Sequence, residues 1–79
     1  MRLDKYLKVS QIIKRREAAK ECIERGLVTL NNKVAKASSE VKVNDIITIK
    51  NRDEIKTYRV LIIKNNATKE QAKEMYESI

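Results

Sequence analysis

The chain has one glycine, Gly26, and no proline, and that glycine separates two parts with different hydrophobic periodicity. Before Gly26, apolar residues recur every three or four positions, which is typical of one face of a helix. After it they alternate with polar residues, which is typical of strands. Because glycine readily adopts the left-handed backbone conformation that ends many helices, Gly26 is predicted to terminate a helix.

Two short helices are predicted before Gly26, one over residues 3 to about 11 and one over about 15 to 25. Each has an apolar side that is predicted to be buried. In the first helix the opposite side is basic, whereas in the second helix basic residues flank the apolar stripe and acidic residues take another side. The apolar sides consist of Leu3, Tyr6, Leu7 and Ser10 in the first helix, and of Ala18, Ala19, Cys22 and Ile23 in the second.

Strands are predicted after Gly26, with asparagine at the turns between them. Asn tolerates a positive φ better than other residues that carry a side chain, so Asn31-Asn32 predicts a tight hairpin turn. For the same reason Asn44-Asp45 predicts a second turn. The predicted strands cover residues 28–30, 33–35, Ile46 to Lys50 and Thr57 to Ile63.

A final helix is predicted to begin at Thr68, because Thr68 and Gln71 have the spacing of a capping box. It is predicted to continue to Ile79. The order of elements predicts a single α+β domain over residues 1–79. In this fold, two short N-terminal helices pack on a small, mostly antiparallel sheet of about four strands, which is closed by the C-terminal helix.

Length and composition exclude several classes of protein. A chain of 79 residues allows one domain. The longest apolar run, Val60 to Ile63, is too short to cross a membrane, and no apolar stretch of the kind found in a signal peptide follows the basic start. A single cysteine excludes an intramolecular disulfide framework and favours a reducing compartment, so a cytoplasmic location is expected.

Catalysis is not expected from this set of residues. The chain has no histidine, which excludes His-based triads and, with one cysteine, ordinary zinc sites. Cys22 lies on the predicted buried stripe without a base partner, which favours a structural thiol. A single glycine cannot build a glycine-rich phosphate loop. The chain is therefore predicted to be a non-enzyme that needs no metal or cofactor.

The positive charge is concentrated near the N-terminus. The formal net charge is +7, and residues 1–20 hold seven basic and two acidic side chains. Three of the basic residues open the second helix, where free backbone N–H groups attract phosphate. The others extend this patch if the two helices pack side by side. The predicted RNA-binding residues are Arg2, Lys5, Lys8, Lys14, Arg15, Arg16 and Lys20.

Other interpretations of this basic patch are a solvated face or an anionic membrane surface. Charge that clusters from two elements favours nucleic acid over a solvated face. The apolar side of the first helix is short and is needed for the core, which disfavours a membrane surface. Tyr6, Tyr58 and Tyr76 fall at predicted core positions, so aromatic platforms for single strands are not expected. Structured RNA, recognised by its backbone and shape, is favoured.

Four blocks in the first 50 residues resemble the RNA-binding domain first recognised in ribosomal small-subunit protein four, the S4-type domain. The resemblance covers about residues 2–50, and the strand and helix of residues 56–79 follow it. Two turns depart from the usual pattern, because Asn-Asn replaces Asn-Gly and Val-Asn-Asp replaces Pro-Gly-Asp. The blocks are Leu3 to Leu7, Lys14 to Lys20, Gly26 to Asn32 and Val41 to Ile49.

The chain is similar end to end to the short stand-alone members of that superfamily, the heat-shock-protein-fifteen-like factors of bacterial ribosome quality control (the RqcP group). The resemblance implies binding to free 50S subunits obstructed by peptidyl-tRNA, through 23S rRNA and the tRNA. It also implies cooperation with an RqcH-type factor that adds a C-terminal alanine tail. The family's RNA-contacting arginines map to Arg2 and Arg16. A monomer is expected, and a general structured-RNA-binding module or regulator stays open as the alternative.

Overall fold

The structure, a computed structural model, describes residues 1–79 and contains three helices and five strands. The strands form one antiparallel sheet in the order β2-β1-β3-β4-β5. The predicted α+β fold is confirmed, with five strands where about four were predicted. The helices are α1 (Leu3–Val9), α2 (Arg16–Glu24) and α3 (Lys69–Glu74), and the strands are β1 (Val28–Leu30), β2 (Lys33–Val34), β3 (Ile46–Asn51), β4 (Glu54–Val60) and β5 (Tyr76–Ser78).

The N-terminal helices form where they were predicted, with small differences at their ends and faces. The predicted apolar side of α1 is buried throughout. α1 stops at Val9, earlier than predicted, because Gln11 takes a positive φ of 61°. Gly26, at φ 76°, follows the end of α2 as predicted. The predicted stripe of α2 is only half right, since Ala19 and Ile23 are buried whereas Ala18 is exposed and Cys22 is half-buried.

The asparagine turns are confirmed. Asn31 and Asn32 have φ values of 53° and 69°, and Asn44 has a φ of 76°. The Asn31 side chain also joins the two turns, because its Nδ2 donates to Asp45 Oδ1 at 3.1 Å and its Oδ1 accepts from the Ile46 N–H at 2.9 Å. The turns therefore hold the β1–β2 hairpin against the start of β3.

The C-terminal end differs from the prediction of one helix up to Ile79. The capping box forms as predicted, with Gln71 N to Thr68 Oγ1 at 3.2 Å and Thr68 N to Gln71 Oε1 at 3.1 Å. However, α3 ends at Glu74, and β5 pairs with β4. Without β5, β4 would be a sheet edge with unpaired backbone groups, and this pairing satisfies them.

Strand β4 has the same seven-residue length as the predicted Thr57–Ile63 strand but lies three residues earlier in the chain. It ends at Val60, because the N–H groups of Leu61 and Ile62 turn to the Met75 carbonyl, at 2.8 and 3.2 Å. The same carbonyl accepts a buried hydrogen bond from the Tyr6 hydroxyl at 2.7 Å. Tyr6 thus connects α1 to the C-terminal segment, which lies 69 positions further along the chain. Burial is the main cause that raises the pKa of Tyr6 far above its usual range, so the hydroxyl stays a donor.

Replacing Tyr6 with phenylalanine is expected to lower the free energy of unfolding by about 1 kcal/mol. The loss is modest because the Met75 carbonyl keeps two backbone donors when the hydroxyl is gone. Chemical denaturation of the wild type and the Tyr6→Phe variant measures this difference. A loss of several kcal/mol would contradict it and show that the hydroxyl is needed to seat the C-terminal segment.

The N-terminus is held by the segment after β2. Leu3 N donates to Ser39 O at 2.8 Å, and Val41 N donates to Met1 O at 2.9 Å. Between them, Arg2 and Glu40 form an isolated antiparallel bridge. This pairing fixes the backbone at the start of α1, where the first of the predicted RNA-binding residues lies.

Candidate nucleic-acid interface

Helices α1 and α2 pack against each other, as the predicted basic patch requires. Arg2 precedes α1, Lys5 and Lys8 lie within it, and Arg16 is the first residue of α2. The structure brings these four side chains to one side of the helix pair. Two features establish this: a shared carboxylate below the arginines, and a shared depression beside the lysines.

The shared carboxylate belongs to Asp4, whose side chain is completely buried. Arg2 donates to both of its oxygens, with Nε–Oδ1 at 3.2 Å and Nη2–Oδ2 at 3.3 Å. Arg16 Nε lies 3.4 Å from Oδ2, and the Lys5 backbone N–H donates to Oδ1 at 2.8 Å. The two arginine side chains keep 51% and 41% of their surface exposed. Asp4 therefore positions both arginines while their outer N–H groups stay open to a ligand.

Asp4 was not predicted to be a site residue, because in the sequence it is one acidic residue among many basic ones. The signal was available, because Asp4 precedes Leu7 by three positions and so shares the buried side of α1. A buried carboxylate needs cationic partners, and only positive side chains close in space can supply them. The pairing with Arg16, 12 positions away, depends on how α2 packs on α1.

The ionisation of Asp4 follows from this environment. Burial, the largest single influence, raises the pKa of the carboxyl, but its partners together outweigh burial. The Arg2 hydrogen bond, the Lys5 N–H and the charge of Arg16 hold the pKa below its ordinary value. Asp4 is therefore a carboxylate at neutral pH.

The stabilising effect of Asp4 is expected to disappear in acid. Its pKa is lower in the folded than in the unfolded chain, so its contribution is complete above the unfolded pKa of about 4 and is lost as the pH falls through the folded pKa. The difference in unfolding free energy between the wild type and Asp4→Asn should therefore shrink below about pH 4. Urea denaturation of both proteins at several pH values measures it, and a difference that does not change with pH would contradict the assignment.

The shared depression lies between α1, the start of α2 and the loop before α3. It has a volume of about 250 Å³ and is lined by Lys5, Lys8 and Arg16 on one side and by Asn65 and Asn66 on the other. Lys5 Nζ lies 3.5 Å from Asn65 Oδ1. Three cations and two amides that converge on one hollow suit a phosphate group. Asn65 and Asn66 were not among the predicted site residues, and their place beside the basic patch is a result of the tertiary fold.

The remaining predicted residues lie near this surface without being tied to it. Lys14, Arg15 and Lys20 are exposed and form no ion pair within the chain. Arg15 is the N-cap of α2, with extended backbone and no side-chain cap on the first N–H groups of the helix. These three cations can add attraction for phosphate, but nothing orients them as Asp4 orients the arginines.

The tyrosines and the cysteine differ partly from their predicted places. Tyr6 is buried as predicted. Tyr58 and Tyr76 are half-buried and pack edge to face, with ring centroids 5.3 Å apart. Cys22 is half-buried instead of buried, and burial is the main cause that raises the pKa of its thiol.

Comparison with known proteins identifies the family of this chain. The S4 domain family model matches residues 1–47, which include α1, α2 and all seven predicted RNA-binding residues. Proteins named RQC P-site tRNA stabilizing factor are similar over most of their length. The one from Streptococcus pneumoniae is 48% identical over all of this chain and 90% of its own length. Those from Bacillus subtilis and Helicobacter pylori are 46% and 41% identical, over 96% and 80% of this chain and 88% and 75% of their own.

The fold is also similar to a solved structure. The trimeric structure of Vibrio cholerae Heat Shock Protein 15 superposes with a TM-score of 0.91 at 29% identity, over 100% of this chain and 81% of that chain. None of the helices in the present structure has both the length and the apolar character needed to cross a membrane.

The predicted resemblance to the heat-shock-protein-fifteen-like factors is confirmed. The chain belongs to the S4 domain family of RNA-binding proteins, and within it to the RQC P-site tRNA stabilizing factors.

Proposed function

We propose that the chain is an RNA-binding factor of bacterial ribosome quality control. It binds free 50S subunits that are obstructed by peptidyl-tRNA and holds the tRNA in the P site, through contacts with 23S rRNA and the tRNA. In doing so it supports the addition of a C-terminal alanine tail by an RqcH-type factor. The protein carries out no catalysis of its own and works in the cytoplasm as a monomer.

The observation that carries this proposal is the Asp4 carboxylate with Arg2 and Arg16. Each arginine uses part of its guanidinium on Asp4 and leaves the outer part exposed at the surface. A guanidinium that is already held in place can donate to two phosphate oxygens, and binding then costs little further side-chain entropy. Two such groups lie beside the depression lined by Lys5 and Lys8. This fixed arrangement matches the regular phosphate backbone of structured RNA better than a flexible single strand.

The absence of an aromatic platform at this surface also favours structured RNA. Tyr6 is buried, and Tyr58 and Tyr76 pack on each other at the sheet. Affinity must then come mainly from phosphate contacts, and it should fall steeply as the salt concentration rises. Binding of this kind is readily reversible, which suits a factor that stays with a tRNA through repeated rounds of elongation.

Retention on purified ribosomal subunits tests the function. The full chain is mixed with 50S subunits that carry peptidyl-tRNA or with empty 50S subunits, and each mixture is sedimented through sucrose at fixed salt. We expect several times more protein on the obstructed subunits, and we expect Arg16→Ala to remove this excess. Equal retention on both kinds of subunit would favour the alternative of a general structured-RNA-binding module. No retention on either would exclude a ribosomal role.

A further inference from the structure

A groove separate from the proposed RNA surface runs between α2 and the β3–β4 hairpin. It has a volume of about 420 Å³, within the range of pockets that bind small ligands. Its floor is apolar and is formed by Ile12, Ile13, Leu27, Ile49 and Tyr58. The four aliphatic residues are half-buried, so they line the groove without being enclosed by the core.

The rim of the groove is cationic. Arg25 and Lys56 line it, and Glu21 is the one acidic residue among the lining groups. Arg25 forms no ion pair within the chain, and Lys56 has only a solvent-exposed contact with Glu54 at 3.6 Å. Positive groups around an apolar floor are complementary to a ligand with an apolar centre and negative flanks.

The groove and the proposed RNA surface lie on different sides of α2. With 3.6 residues per turn, Ala18, Cys22 and Arg25 project about half a turn away from Arg16 and Lys20. The buried residues Ala19 and Ile23 fill one of the sectors between them. RNA bound at the arginines therefore leaves the groove open to a second ligand.

The chemistry of the floor favours a protein segment over RNA. Unpaired bases bind by stacking on open aromatic faces, and the floor has a single aromatic ring, Tyr58. That ring already packs edge to face with Tyr76. Aliphatic floors instead accept the side chains of amphipathic helices that present leucine-like residues on one face. The cationic rim would then pair with carboxylates that flank those residues.

We propose that this groove binds an acidic amphipathic segment of a partner protein. The apolar side chains of the segment fill the space above Ile13, Leu27 and Ile49, and its carboxylates pair with the rim cations Arg25 and Lys56. The domain is thus an adaptor that joins RNA on one side of α2 to a protein on the other. This inference goes beyond the proposed RNA-binding function and does not depend on it.

The test is an NMR titration of the ¹⁵N-labelled full chain with a designed helical peptide of about 15 residues. The peptide carries leucines at i, i+4 and i+7 with glutamates on either side, and a control peptide has serine at the leucine positions. We expect saturable shifts of the Cys22, Leu27 and Ile49 amides with the leucine peptide only. A uridine oligonucleotide is titrated in parallel as the RNA probe.

A pair of charge reversals makes the test specific. Lys56→Glu changes an exposed rim residue and should weaken binding of the leucine peptide about fivefold. Lys33→Glu makes the same change on β2, away from the groove lining, and should leave the affinity unaltered. The proposal is overturned if the leucine peptide does not saturate, if the serine peptide gives equal shifts, or if both variants lose affinity equally. Shifts of the groove amides with the uridine oligonucleotide would instead identify an RNA site.

Discussion

Replacing Asp4 with asparagine is expected to weaken tRNA binding about tenfold, although it makes the protein more positive. The net charge of +7 rises by one unit, and long-range attraction for RNA rises with it. However, asparagine loses the negative charge that holds Arg2 and Arg16 and offers one acceptor oxygen in place of two. Because both guanidinium groups then become mobile, each phosphate contact costs more entropy. Fluorescence anisotropy with labelled tRNA at fixed salt measures the change.

The matched control is Asp53→Asn, which makes the same charge change in the exposed β3–β4 turn. It should leave tRNA affinity unchanged or raise it slightly, since only net charge is altered. If both variants bind more tightly, net charge governs affinity and Asp4 does not position the arginines. Losing the buried charge also destabilises the fold by about 2 kcal/mol, so binding is measured well below the melting temperature of the variant.

Arg16→Ala is expected to reduce tRNA affinity at least about tenfold, and Lys20→Ala only about threefold. Both variants remove one positive charge from the same helix, so a difference between them reports geometry. Arg16 is oriented by Asp4 and lines the phosphate-sized depression, whereas Lys20 is exposed and unattached. Titrations of labelled tRNA at several salt concentrations separate the loss of an oriented contact from the loss of one positive charge. Each variant should lower the salt slope by about one if each side chain contacts one phosphate.

A third variant, Arg16→Lys, keeps the charge and changes the shape of the side chain. Arg16 reaches Asp4 through Nε, an atom that lysine lacks, so lysine cannot pair with Asp4 there and present a planar fork outward. We expect it to restore less than half of the lost binding free energy. Equal losses in Arg16→Ala and Lys20→Ala, or complete rescue by lysine, would show that the patch acts only through its total charge.

Much of the fold could be predicted because its signals are local. The capping box needs Thr68 and Gln71 three positions apart, and the hairpin turn needs two residues that tolerate positive φ. The buried side of α1 follows from spacing alone. These features depend on neighbours within a few residues, so the sequence shows them before any tertiary contact is known.

The same reasoning was wrong where distant residues compete. Residues 76–78 continue the helical spacing of α3, yet β4 offers them backbone partners and they form β5 instead. The apolar stripe of α2 suggested a buried Cys22, yet the helix packs through Ala19 and Ile23 and leaves Cys22 at the groove. In both places local propensity was overridden by packing.

The sequence by itself determined the α+β class, the turns, the capping box, the basic N-terminal face and the resemblance to the S4 domain. Only the tertiary structure decided what that basic face can do. It placed Arg16 on the carboxylate of Asp4, brought Asn65 to Lys5 and opened the groove on the far side of α2. Charge and periodicity are properties of a short stretch of chain. A buried carboxylate that orients two arginines exists only when segments 12 or more positions apart pack together.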